Sequence, residues 1–492
     1  MPIKKPDISD IGRILSALDI EDTRESMEEI LPLVIDSIAD YDSFDREPGE
    51  EPAPSLHRAW TCPADSDNPH GAWSHRVDIA GRSDGRLAGL RIAIKNNIAV
   101  AGVPLSAGTQ FLKSLIPTKD AVAVSRILEE GGRILGTANC EYLASSGGSH
   151  TSLPAAVVNP RKPGFSAGGS SSGSAALVAS GAVDVALGTD QGGSIRIPAS
   201  WSGVVGMKPT RGLVPYTGAL SIDPAIDHIG PLSRDVYTNA RLLSAIAGPP
   251  DRECVRDYTL DISSGIAGLR IGIVREGFGT PISEEDVDEA VFGMARSLRA
   301  LGATVEEVSI PLHDSGRSIW APIFIESFMD TLFNRDGVPL QDAENIDPAI
   351  PRAFRDWRRN TQELPVPVKV LMVAARYIRA NYGAYYYARS RRLTENLRQA
   401  YDAALSRHDL LVMPTTPFKA KALPQDGADS AAQWRAALGM NRNTAPFCAT
   451  GHPAMSVPCA GRHELPIGSM LIGPAYREDL IYRAAYAYEN MT

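Results

Sequence analysis

Three features of the chain predict an α/β fold with helical additions. Short apolar runs alternate with helix-period segments from about Leu87 onward. Two acidic amphipathic stretches precede them, and residues 314–400 carry helical patterning without a strand-like run. With 492 residues, 43% apolar and 22% charged, the chain can bury a large core, which excludes a collagen-like or wholly disordered protein.

At the N-terminus Ile8, Ile11, Leu15 and Leu18 recur at helical spacing, and Met27, Ile30, Val34, Ile38 and Tyr41 repeat the pattern. Two such short helices cannot bury their stripes alone, so they dock on the main body or on a second subunit. The second alternative makes residues 1–75 a dimerisation segment and the protein a homodimer. A Pro-, Glu- and Asp-rich linker spans about Phe44 to Asn68. Leu90–Ile94 then reads as a strand, Val122–Gly131 as a helix with Arg126, Glu129 and Glu130 outward, and Arg133–Thr137 as another strand. Residues 174–180 form an Ala-rich helix stopped by Gly181, and Val183–Thr189 is a strand. Pro198 is well placed to start a helix over Ser200–Val205.

Leu269–Val274, the helix Glu284–Leu301 and Thr304–Val308 make a β-α-β unit. In residues 314–400, Trp320, Trp357, Tyr377 and Tyr385–Tyr387 stand among many arginines, and this stretch reads as a helical insertion or cap. The sheet resumes at Asp409–Pro414 and Ile467–Ile472, before a last helix near Asp479–Tyr488. Residues 76–313 and 401–492 thus compose the α/β domain.

The net charge of −9 makes a phosphate-backbone binder a poor fit, so no nucleic-acid partner is expected. The acidity is local: residues 1–56 hold 15 acidic and 5 basic side chains, and the rest is nearly neutral. Five scattered cysteines fit a reducing compartment. The start MPIKKPDISD has no apolar run behind it, and the longest small-apolar run, Ala175–Gly188, is interrupted by Asp184. No membrane span and a cytoplasmic location are the expectation.

The conspicuous segment is Ser166–Arg211, in which Gly/Ser loops at 169–174 and 191–194 flank a helix and a strand. A phosphate loop fails, because Gly173 is followed by Ser174 and Ala175 and not by Lys-Ser/Thr. Gly169–Gly173 formally matches G-x-S-x-G, with Ser171 as nucleophile and His228 or His452 as partner. That elbow needs a strand before it, and Asn159–Gly164 is Pro-rich and irregular. A third reading needs no histidine. Ser194 ends a strand and opens a helix, where successive amides surround one point and suit an oxyanion. Ser170 lies on the other loop. Lys95 closes an apolar strand, and burial there could leave it neutral near pH 7 and basic. Singly, each has an ordinary structural reading: a serine after glycines is usually a helix cap, and a buried lysine usually finds a carboxylate.

GGSSSGSAA, GTDQGGSIRIPA and GVVGMKPTRG occur in order between Gly168 and Gly212, and Lys95 is followed by Asn97-Ile98. Together these resemble the amidase signature family of serine hydrolases, from about Leu87 to the C-terminus. The N-terminal helices and GMNRNTAPFCATGHPAMSVP (439–458) are most similar to the enantioselective amidases of nitrile-degrading actinobacteria. The resemblance implies a mixed central sheet flanked by helices and a Ser–Ser–Lys triad. Ser194 matches the nucleophile, Ser170 (on a cis peptide bond in the family) the bridging serine, and Lys95 the general base. The amides of Gln191, Gly192, Gly193 and Ser194 match the oxyanion hole, Asp190 and Arg196 would brace its loop, and no metal or other cofactor is implied.

Two departures stand out. Many members carry Lys-Asp where this chain has Lys95-Asn96, which removes a negative charge and favours the neutral lysine. The positions matching the acyl pocket are Ala144, Ser145, Ile226, Trp320, Leu438 and Asn441, and Ser145 and Asn441 make it roomier and more polar. The implied activity is hydrolysis of small carboxamides to carboxylate and ammonia, with an acyl group that carries a heteroatom, such as a heteroaromatic carboxamide or a hydrazide. Hydrolysis of hydrazides or anilides is the alternative within this chemistry. The glutaminase component of a tRNA-dependent amidotransferase is a different class.

Overall fold

The computed structural model describes residues 3–44, 56, 58–249, 256–339, 346–425, 427–460 and 465–491. The chain divides into two compact units, Met1–Ser55 and Leu56–Thr492.

The first unit contains the helices Ile8–Ala17, Arg24–Ser37 and Ala39–Phe44. Asp7 starts the first of them: its carboxylate accepts the Ser9 and Asp10 amides while Asp10 takes the Asp7 amide in return. Ile11 is buried, whereas Ile14, Leu18, Ile20, Leu33, Tyr41 and Phe44 are exposed.

In the second unit, twelve strands among the described residues build one sheet. They are β1 Trp60–Thr61, β2 Trp73–Ala80, β3 Arg91–Lys95, β4 Arg133–Ala138, β5 Val185–Thr189 and β6 Val205–Lys208. The remainder are β7 Ile229–Ser233, β8 Arg270–Val274, β9 Thr304–Val308, β10 Leu410–Pro414, β11 Ala454–Ala460 and β12 Ile467–Ile472. Their order is β1-β2-β4-β3-β5-β7-β6-β11-β12-β10-β8-β9. The trios β4-β3-β5 and β10-β8-β9 run parallel, and every other pairing is antiparallel. The architecture is therefore mixed α/β. Because β1 and β2 pair onto β4 through β2, the α/β unit begins at Leu56 and not at residue 76.

Two local expectations fail. Arg126 lies on the helix Val122–Glu129 but is buried. Its guanidinium bonds the Ile246, Ala247, Gly248 and Pro249 carbonyls at 2.6–3.1 Å, where the helix Val236–Ile246 ends. Helix-terminal carbonyls need donors, and here that need outweighs the amphipathic pattern. The helix expected over Ser200–Val205 instead spans Arg196–Ser202. Pro198 falls in its first turn, where a missing N–H costs nothing, and Val205 already belongs to β6.

The described part of 314–400 is helical. His313–Met329 packs against both Val366–Tyr382 and Tyr385–Leu405. A run of aromatic contacts from Trp320 through Phe324, Phe328 and Phe333 to Trp357 stiffens this layer. Among the described residues no helix is long and apolar enough to cross a membrane.

Candidate active site

The parallel pairing of β3 with β5, Ile94 opposite Leu187, ends both strands side by side and puts Lys95 beside Thr189. Lys95 is fully buried. Its Nζ lies 2.8 Å from Ser170 Oγ and 2.7 Å from Thr189 Oγ1. Among the described residues no carboxylate comes within ion-pair distance of it. Burial lowers the ammonium pKa to about 8, against the opposing pull of Cys140, Asp190 and Glu141. The amine is therefore a minority at pH 7 and becomes the main form above pH 8. Asn96 faces away: its amide donates to the Pro104 carbonyl and Thr137, and its oxygen accepts from Ser106 and Ala107.

Ser170 follows a cis Gly169–Ser170 peptide and sits just before the helix Ser172–Ala179. A Cβ at Gly169 would come within 2.8 Å of Glu141 and of the Ser146 carbonyl, so only glycine fits. The Ser171 amide donates to the Ser194 carbonyl at 3.1 Å, which ties the two Gly/Ser loops together. The Ser171 hydroxyl is buried and donates to the Thr189 carbonyl. His228 bonds the Ile226 and Asp190 carbonyls, and His452 bonds Thr450 and Asp402. Neither histidine meets Ser171, so the elbow arrangement is not present.

The loop between β5 and the helix Arg196–Ser202 is braced from below and from the side. The Asp190 carboxylate accepts the Gly193 amide at 2.6 Å and the Ile195 amide at 3.1 Å, and pairs with Arg196 at 3.0 Å, both side chains fully buried. Burial pushes Asp190 up, but Arg196, the Cys448 thiol and Lys208 outweigh it and hold the carboxyl well below its usual range. The Trp320 indole donates to the Gln191 carbonyl at 2.6 Å, and Thr444 Oγ1 donates to that of Gly192 at 2.8 Å. Gly193 has φ +133°, and a Cβ there would stand 2.2 Å from Thr444 Oγ1. Among the described residues the amides of Gln191, Gly192 and Ser194 have no protein acceptor. Gly193 differs from the expectation, because its amide is committed to Asp190.

Ser194 opens onto a narrow cleft of about 30 Å³, whose lining includes Ala144, Ser145, Trp320, Leu438 and Asn441. Its hydroxyl carries no hydrogen bond among the described residues. Ile226 is not part of this wall; it is fully buried. Sequence reasoning missed Thr189, which holds Lys95, and Phe324, which stacks on Trp320 at 4.8 Å in the cleft wall. It also missed Arg317, whose Nε donates to Asn441 Oδ1 at 3.0 Å. Thr189 was within reach, since it ends the strand that carries the second loop. Arg317 has no local signal.

Residues 57–482 match the Amidase protein family. Over 479 residues the chain is 39% identical to an enantioselective amidase of Rhodococcus rhodochrous, covering 95% of this chain and 92% of that one. Over 422 residues it is 35% identical to a glutamyl-tRNA(Gln) amidotransferase component of Exiguobacterium sibiricum, covering 84% and 86%. The native peptide amidase of Stenotrophomonas maltophilia superposes with a TM-score of 0.69 at 30% identity, over 83% of each chain.

Proposed function

The chain belongs to the amidase signature family and is a hydrolase of amide C–N bonds, and we propose that it cleaves small carboxamides through a Ser194–Ser170–Lys95 relay. One observation carries this reading: a buried amine with no carboxylate partner among the described residues, 2.8 Å from the Ser170 hydroxyl. In its neutral form Lys95 takes the Ser170 proton as Ser170 takes that of Ser194, and Ser194 Oγ attacks the amide carbon. The carbonyl oxygen becomes an oxyanion held by the amides of Gln191, Gly192 and Ser194. Such a preorganised donor contributes roughly 2.7–4 kcal/mol to the transition state. The proton returns to the departing nitrogen, and ammonia leaves. Water then cleaves the acyl-enzyme by the same relay, releasing the carboxylate. Thr189 and Asn97 (3.1 Å from Thr189 Oγ1) position the lysine and do no chemistry.

The purified chain alone should release ammonia from a simple amide. A fluorophosphonate should label Ser194, and Ser194→Ala should lose both label and turnover. Labelling at Ser171 would overturn the relay. The amidotransferase relatives support a second reading, a glutaminase that works only within a complex. Ammonia release without partners excludes it. The exposed Leu18, Leu33 and Phe44 support a homodimer built on the N-terminal helices. Light scattering of the full chain against a Leu18→Glu/Leu33→Glu variant tests that.

A further inference from the structure

The polarity of the cleft beside Ser194 is set by its lining residues and by Arg317, which stands behind Asn441. Asn441 Oδ1 is occupied by Arg317 Nε, so the side Asn441 can offer a ligand is its Nδ2 donor, which has no acceptor among the described residues. Arg317 stands half-buried on the helix His313–Met329, and no carboxylate among the described residues lies within ion-pair distance of it. The Asp314 carboxylate on the same helix is engaged by Arg442. Burial and the like charge of Arg442 both disfavour the Arg317 cation. Among the described residues no Asp or Glu lines the cleft, and Trp320, Phe324, Leu438 and Met440 supply apolar wall. A half-buried guanidinium bonded to a neutral amide and to no described carboxylate keeps an uncompensated charge, which an anion would offset.

Resting on the assignment of this cleft to the acyl group, we propose that the preferred acyl chain has an apolar middle and an anionic end, and that Asn441 and Arg317 select it. The substrates are then half-amides of dicarboxylic acids. The Asn441 amide donates directly to the distal carboxylate. Arg317 acts as a positioning residue that fixes the Asn441 flip and supplies the field. The chemistry is unchanged: the amide C–N bond breaks, water supplies oxygen to the carbonyl carbon, and ammonia carries off the nitrogen.

The test is ammonia release from succinamate, glutaramate and adipamate against butyramide, pentanamide and hexanamide, with 4-aminobutyramide as the cationic member. The expected order is anion, neutral, cation, with a preference of about tenfold or more in kcat/KM at one chain length, carried by KM and shrinking as salt rises. Arg317→Met and Asn441→Asp should each collapse the anion-to-neutral ratio, and Arg317→Lys should retain part of it. Should these variants not fold, the wild-type ratio and its salt dependence decide alone. Neutral amides cleaved as well as their anionic partners, or a ratio untouched by Arg317→Met, would overturn the inference and leave amide hydrolysis standing. No ammonia from any amide, with no fluorophosphonate label, would instead bring down the underlying reading.

Discussion

Lys95 and Lys208 each close a strand of the same sheet, β3 and β6, and both are fully buried. Burial lowers both, Lys95 to about 8 and Lys208 to about 7. By basicity alone Lys208 is the more readily neutral of the two. Yet among the described residues its Nζ bonds only the Pro209 carbonyl, at 2.9 Å. Lys95 touches two hydroxyls, one on the loop that is tied to Ser194 at the edge of a cleft. Desolvation makes a displaced pKa wherever a lysine ends a strand inside a protein. A relay additionally needs proton-carrying partners that reach an open site.

The sharpest way to break this contrast is to remove each lysine. Lys95→Ala should lower kcat on a simple amide roughly 10³–10⁴-fold while the protein stays folded. Lys208→Met should leave kcat per folded molecule within about threefold but cost roughly 1–3 kcal/mol of stability, read as a lower Tm, because a buried carbonyl loses its donor. Equal losses of kcat in the two variants would dissolve the distinction. Next in size is Ser170→Ala, which should cut kcat about 10²-fold or more and leave measurable turnover, since the Gln191, Gly192 and Ser194 amides survive.

The pH profile sharpens the same point. Only the amine form of Lys95 accepts a proton, and its fraction grows as pH rises through about 8. For an uncharged amide kcat/KM should therefore fall about tenfold per pH unit below that value and level off above it. A flat profile between pH 6 and about 8 would exclude Lys95 as the base. Among the losses of kcat, the smallest expected from the site itself is that of Trp320→Phe. It keeps the ring but deletes the N–H that holds the Gln191 carbonyl, costing about 1 kcal/mol, or roughly fivefold in kcat.

These residues differ in how far they could be seen in the chain. Ser170, Ser194 and Lys95 lie in or beside dense local patterns, because glycines, small hydroxyls and an apolar strand are local requirements of loop and strand geometry. Arg126 looked like an outward residue by period and turned out to cap another helix. β1, β2, β6, β7 and β11 went unseen; the runs of the last three (VGMK, IGPLS, AMSVPCA) contain Gly or Pro and lack alternation.

What the chain determined by itself was therefore its class and which loops and strand bring Lys95, Ser170 and Ser194 toward one another: alternation, glycine placement and motif order act over a few residues and are written in succession. Only the tertiary structure decided that the Gly193 amide belongs to Asp190, that Ile226 stays out of the wall, and that Arg317 stands behind Asn441. Those facts depend on which carbonyl, carboxylate or guanidinium meets which neighbour across the fold. Charge compensation and hydrogen-bond occupancy are properties of the packed neighbourhood, and Arg317 and Asn441 are more than a hundred positions apart along the chain.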